Sequence, residues 1–421
     1  MPEASFTARE VPSDKLLFRN VVAQLLHGMF GQTGGRIVGA PTFLPAYLFA
    51  LSGSDFIVGL ARSLQAVGTV ITPIVGASLI GHRKKILGVT LATSALMRLQ
   101  ILGLSLTGFL LGAGEAVIGV VAFLFLMGFF QGIAQVTMNS LRAKVVPVNR
   151  RGIVSGARNF LAGLTSAGVA YGAGFVIDAN LLGNGYSSVF LMAFVITTFG
   201  LAALAITVEP RAENVRSKQT VLTTLRAVTP LLRQNPAFAR FFMVRALGSF
   251  GRMALPFYIL FGGTRMETTG ATLGLLTTVW MLTSSTANLA WGLLADRLGY
   301  KIVLVITLAC WTASHVQLLF VDGQVGMIVF FAIMGMASGG FNQAGQNMVL
   351  EFGRPEDIPI RLAASGSAVN LVGTIGPVIG GAIVAATGYV ELFVTTIVLQ
   401  ATALGILIVS VPDPRRVARR Q

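Results

Sequence analysis

Acidic residues are scarce in this chain: 16 Asp and Glu stand against 31 Lys and Arg, and charged residues of all kinds fill only 11% of the 421 positions. A soluble domain usually carries about a quarter charged residues, so this composition cannot build an ordinary water-facing surface. There is one cysteine, Cys310. One thiol excludes an intrachain disulfide and any C-x-x-C metal or redox site. No nucleophile–base pair, metal cluster or phosphate loop can be traced, so no enzyme and no cofactor is expected. The first residues, MPEASFTAREVPSDKLLF, lack the order of basic region, apolar core and small-residue cleavage site of a signal peptide. The first helix is therefore expected to stay in the mature protein.

What fills the chain instead is apolar. Hydrophobic residues make up 54%, the mean hydropathy is +0.76, and runs of about twenty apolar residues, enough to cross a hydrocarbon core of roughly 30 Å, recur from end to end. Backbone groups in lipid must be satisfied within the segment, so such runs are helices. Twelve spans are predicted, at 20–50, 55–81, 86–112, 116–140, 153–178, 187–208, 237–262, 270–295, 301–320, 326–349, 362–387 and 391–411. The first contains Gly34, Gly35 and Pro45 and is expected to be tilted or bent.

The longest polar stretch, 209–236, divides the chain into a six-span bundle at 20–208 and another at 237–411, with tails at 1–19 and 412–421. Within it, 221–232 reads as an amphipathic surface helix. The net charge of +15 reads as topology, since no basic stretch is interleaved with aromatics as a nucleic-acid surface would be. With both termini placed in the cytoplasm, the loop arginines and lysines lie inside, and Arg265 is the exception outside. Asp55, Glu115, Asp178, Glu267, Asp322 and Glu391 mark the outer ends.

The halves repeat one another. Leu44-Pro45-Ala46-Tyr47-Leu48 matches Leu255-Pro256-Phe257-Tyr258-Ile259, Gly76 and Lys85 match Gly292 and Lys301, and Met127-Gly128 matches Met334-Gly335. Asn139 matches Asn347, and SGARN at 155–159 matches SGSAVN at 365–370. Matches in the same order, with similar offsets, argue for duplication. Parallel six-helix repeats place a solute site between the halves, near the midplane.

The segment Gly292-Leu-Leu-Ala-Asp296-Arg297-Leu-Gly299-Tyr-Lys301 resembles the G-x-x-x-D-R-x-G-[RK]-[RK] loop of the major facilitator superfamily. Its N-terminal counterpart, Gly76 to Lys85, has Ile80 where the acid would stand. The resemblance implies an all-α membrane protein, with twelve transmembrane helices in two six-helix pseudo-symmetric bundles. It also implies a secondary transporter in which spans 1, 4, 7 and 10 line the cavity. Gly373 to Gly381, with Gly376, Pro377 and Gly380, is similar to an antiporter motif but lies in span 11, not span 5, and is read as close helix packing.

Residues for the solute follow from polarity. Gln131, Gln135 and Asn139 recur every four residues on span 4, and Asn342, Gln343, Gln346 and Asn347 crowd span 10. Polar side chains in lipid are costly and should face a cavity or another helix. The deep charges are all positive: Arg36, Arg98, Arg245 and Arg252, with Arg62 nearer an outer end and able to snorkel. Arg36 and Arg252 are expected to bind an anion, because guanidinium suits carboxylate or phosphate. No acid lies deep in any span, which leaves His27 on span 1, with His315 on span 9, as the candidates for proton coupling, His27 first. Gating is expected at the inner ends, from Gly292, Asp296, Arg297, Gly299, Glu351 and Arg361, against Arg142, Arg150 and Arg158 of the first half.

The sequence therefore points to alternating-access transport of a small, anionic solute across a bacterial inner membrane, or an organelle membrane derived from it, by a monomer, with the lipid bilayer and the solute as partners. Two other readings stand beside it. The N-terminal half resembles, without a motif of its own, magnetosome-associated facilitators linked to iron, which implies a metal-chelate transporter. A non-transporting sensor or assembly scaffold is the other.

Overall fold

The computed structural model describes residues 14–147, 150–210, 230–352 and 358–413, and every regular element among them is a helix. The expected surface helix at 221–232 lies mostly outside the described residues, as do most of the two tails.

The first predicted span is three helices: α1 (Asp14–Gly31), α2 (Thr33–Gly39) and α3 (Phe43–Ser52). The break before α3 has a local cause. Pro41 disfavours the helical region for the residue before it, and Ala40 is extended at φ −59°, ψ 148°. Pro45 sits in the first turn of α3, where no intrahelical N–H bond is lost, so the break lies four residues upstream of the expected proline. The second span bends at Thr72 between α4 (Asp55–Ile71) and α5 (Pro73–Gly81). There the threonine hydroxyl serves the carbonyls of Gly68 (2.9 Å) and Phe129 (2.7 Å). Then follow α6 (Leu87–Leu110), α7 (Ala113–Val145), α8 (Arg151–Asp178) and α9 (Gly185–Ala205).

The second half opens the same way. Its first predicted span is broken into α10 (Pro236–Gly248), α11 (Gly251–Ala254), a 3-10 turn at Leu255–Phe257 and α12 (Tyr258–Gly263). Long helices follow: α13 (Gly270–Leu298), α14 (Tyr300–Leu319), α15 (Gly323–Met348), α16 (Ile358–Ala386) and α17 (Tyr389–Val409). Among the described residues, nine helical stretches are long and apolar enough to cross a membrane. The other three predicted spans fall short for visible reasons. The first and seventh are broken, and α13 carries threonine, serine and asparagine through its middle.

The repeat is visible in packing. A methyl on Gly128 would collide with the carbonyl oxygen of Gln65, and one on Gly335 would meet that of Trp280 at 2.8 Å. Each pair is a close crossing of the second and fourth helices of its half, and only glycine lets the backbones approach so far.

The halves meet along α4 against α16 and α8 against α13. Contact is concentrated away from the end where α1 begins and α17 stops. A methyl on Gly59 would collide with the carbonyl oxygen of Pro377, and methyls on Gly174 and Gly274 would strike those of Gly270 (2.5 Å) and Ala170 (2.8 Å). The glycine-proline segment of α16 is thus a packing surface against α4, as its position in the eleventh span indicated. At the end nearest the termini, Gly81, Gly152, Gly156 and Gly366 face open space. Among the described residues, the close approaches between the halves lie toward the far end.

A candidate solute site between the halves

A cavity of about 260 Å³ lies between the halves, with Arg62 and Gly39 on one side and Arg252, Trp280, Trp311, Ser338 and Asn342 on the other. That is below the 300–1,000 Å³ common for drug-sized ligands, so it suits a small solute. No carboxylate is among its lining residues.

Arg252 stands on α11, the four-residue helix left by the break in the seventh span. Its Nη2 donates to Oδ1 of Asn342 at 3.0 Å, and the Asn342 amide donates onward to the carbonyl of Ser338 at 2.9 Å. A neutral amide orients the guanidinium without cancelling its charge. Arg62 does not snorkel. It reaches inward to the break in the first span and donates to the carbonyls of Val38 (2.9 Å) and Ala40 (2.7 Å) and to Oε1 of Gln65 (3.2 Å). Those two carbonyls lose their helical partners at the Pro41 break, so a donor had to be brought there. That requirement was the available sequence signal for Arg62, which composition alone assigned to the interface.

Arg36 is half-buried on α2 and turns toward α8, with Nη2 3.5 Å from the carbonyl of Asn159. It does not line the cavity that holds Arg252. Arg98 and Arg245 are buried pins. Arg98 donates to the carbonyls of Thr197, Ser94 and Gly31, and Arg245 to that of Phe341, over whose ring it lies at 4.8 Å.

The polar stripes divide. On α7, Gln131 is half-buried and Gln135 and Asn139 are exposed, with Asn139 accepting from Arg142. On α15, Asn342 faces the cavity and Gln346, one turn on, is exposed. Gln343 turns instead toward Gly292 of α13, and Asn347 bonds back to the Gln343 carbonyl at 3.0 Å. His27 is buried inside the first half, with Nε2 3.5 Å from Arg98, and is not among the cavity lining.

The expected gating residues gather at the near end of the second half. Gly299 has φ +93° between α13 and α14, a conformation that favours glycine. Asp296 and Arg297 are exposed, Glu351 closes a 3-10 turn after α15, and Arg361 is buried, donating to the Phe352 carbonyl over the ring of Phe238. An ion pair at this end, Lys144 to Glu209 at 2.8 Å, lies within the first half. Carboxylate bonds that join the halves are found at the far end. Asp178 accepts from the N–H of Gly270 (2.6 Å) and Ala271 (2.7 Å), and Asp55 accepts from the Tyr389 hydroxyl at 2.7 Å.

Two helical bundles share one small polar cavity in this chain. The chain belongs to the Major Facilitator Superfamily, whose model matches residues 25–265 and 263–421. It is 28% identical over 172 residues to the inner membrane transport protein YajR of Escherichia coli K12, covering 41% of this chain. It is 32% identical over 111 residues, 26% of this chain, to the efflux pump azaK of Aspergillus niger. The matches span 37% and 23% of those relatives' own lengths. Among solved structures, a D-xylose-proton symporter superposes with a TM-score of 0.70 over 95% of this chain and 99% of its own, at 16% identity. A point mutant of the nucleoside transporter NupG gives 0.69 over 93% and 98%, at 14%. Both are likenesses of fold. The protein is a multi-pass membrane protein of this superfamily.

Proposed function

We propose that the protein carries a small anion across an inner membrane, by alternating access of the halves 20–208 and 237–411 about the cavity between them. One observation carries this reading: Arg62 and Arg252 come from opposite halves to one cavity whose lining holds no carboxylate. Arg252 has a single neutral partner there, Asn342. A guanidinium in a low-dielectric cavity is stabilised by an anion, and a fork of N–H donors matches carboxylate or phosphate oxygens. Gln346 and Asn139 extend the polar surface toward the near end. Arg36 serves as a waypoint on α2.

The basic loops put the termini in the cytoplasm, so the near end faces inward. Asp296, Arg297, Glu351 and Arg361 then close that end when the halves rock the other way. A free divalent ion is less suited, since no group of three or more His, Cys, Asp or Glu gathers among the described residues.

The test is uptake into proteoliposomes of a panel of carboxylates and phosphate esters, with neutral sugars and nucleosides alongside, with and without a pH gradient. Accumulation of an anion that stops in Arg252→Gln supports the reading. Uptake of neutral solutes alone, or undiminished anion uptake by the variant, overturns it.

A further inference from the structure

A second cavity, of about 180 Å³, lies at the near end of the first half, between the last turns of α7 and the first turns of α8. Arg142, Arg151 and Arg158 line it together with Asn139 and Ser155, and no acidic residue is among its walls. Arg158 is only 8% exposed, yet its Nε has no partner, and the Nε of Arg142 is likewise buried and unpartnered. The contacts these two side chains do make are to neutral amide oxygens: Arg158 to Asn159 at 3.0 Å and Arg142 to Asn139. Arg151 is held by the carbonyls of Val146 (3.0 Å) and Ala143 (2.5 Å). The nearby carboxylate, Glu209, is engaged elsewhere, by Lys144 and by the backbone N–H of Ile86 and Leu87. The start of α8 adds to the positive field, for Arg150 provides no side-chain cap.

Three guanidinium groups around one small cavity repel one another, and burying them without a counter-ion is costly. Packing does not demand them. In the aligned repeat, Leu350 stands where Arg142 does, and Ala368 or Val369 stands where Arg158 does, according to which end of the segment is matched. The corresponding junction of the second half keeps one buried arginine, Arg361, which donates to the Phe352 carbonyl over the ring of Phe238.

We propose that this cavity is a second anion site, distinct from the one between the halves, and that it takes a phosphate oxyanion. Arg142 and Arg158 supply guanidinium N–H donors from the cavity wall and Ser155 a hydroxyl. The phosphate comes from a small soluble molecule or from the headgroup of an inner-leaflet phospholipid. The inference does not rest on the transported solute being an anion, since the site belongs to the first half alone.

The test uses the full-length protein in phosphatidylcholine nanodiscs. Inorganic phosphate is titrated by calorimetry. In parallel, nanodiscs doped with phosphatidylglycerol are examined for lipid retained on the protein in native mass spectra. Saturable phosphate binding that weakens at least tenfold in Arg142→Gln/Arg158→Gln identifies the soluble source. Retention of phosphatidylglycerol that the double variant loses identifies the lipid. Ser155→Asp is the control for folding, because it places a carboxylate among the arginines, and it should abolish phosphate or lipid binding while raising thermal stability. Binding should persist in Arg252→Gln even where transport is lost. Neither ligand binding to the wild type, or binding unchanged in Ser155→Asp, would overturn the proposal.

Discussion

Asp178 closes on the first backbone N–H of α13, that of Gly270, at 2.6 Å, and so ties the last turn of α8 in one half to the first turn of α13 in the other. Its second oxygen takes the next N–H, of Ala271, so a single carboxylate caps a helix that belongs to the opposite bundle. Hydrogen bonds to a charged group contribute about 1.5–3 kcal/mol, and each 1.4 kcal/mol is tenfold in population. Asp178→Asn should therefore shift the far end toward opening by about tenfold. Spin labels at Leu182 and Glu267, in a background with Cys310 replaced, should report a longer distance component. An unchanged distance distribution would remove the latch role from Asp178.

Glycines along α8 separate by what they face. A methyl on Gly174 would lie 2.5 Å from the carbonyl of Gly270, whereas one on Gly168 meets nothing within 4 Å. Gly174→Ala should cost about 1–3 kcal/mol through overpacking and weaken far-end closure. Gly168→Ala should be neutral or stabilise the helix by about 0.5–1 kcal/mol. Thermal unfolding of the two variants in one detergent checks the contrast, and equal shifts would refute it.

Arg252 and Arg98 are both deep arginines but differ in what they touch. Arg252→Lys keeps a charge but loses the Nη2 bond to Asn342 and the planar fork an anion would take, so uptake should fall at least tenfold with unfolding temperature nearly unchanged. Arg98→Leu removes donors from three backbone carbonyls. Leaving buried groups unsatisfied costs about 1–3 kcal/mol each, so this variant should lose stability while the protein that folds keeps its KM. The reverse pattern would exchange the two roles.

His27 sits against Arg98 inside the first half and off the cavity. His27→Gln should leave the pH profile of uptake where it is in the wild type. A profile flattened by the substitution would restore the histidine as a coupling group.

The course of the chain was readable because hydropathy over twenty residues is a strong signal, and Gly128 and Gly335 show that the alignment of the halves was physically meaningful. The pairing of Arg252 with Asn342 was nearly so, since both belong to spans expected to face inward. Other features needed the third dimension. Four-residue spacing puts Gln131, Gln135 and Asn139 on one side of a helix, but it does not say what that side faces. On span 10 adjacency in sequence hid two directions, with Asn342 toward the cavity and Gln343 toward Gly292. Arg36 and Arg252 are both deep and both basic, yet it is Arg62 that shares a cavity with Arg252. Asp55 and Asp178 were legible as residues at outer ends, but their partners lie 334 and 92 positions away, and no local pattern encodes those pairings.

The helices that fall short of an unbroken apolar span also have a meaning for synthesis. The broken first and seventh spans and α13 border the space between the bundles, and each carries the prolines, glycines or hydroxyls that such a position needs. The same residues weaken a segment's own partition into lipid as it leaves the ribosome. These helices must therefore enter the bilayer in the company of a neighbour. Biogenesis of each half is then a cooperative event, in which strongly apolar helices such as α7 and α17 act as the anchors that draw the working helices in.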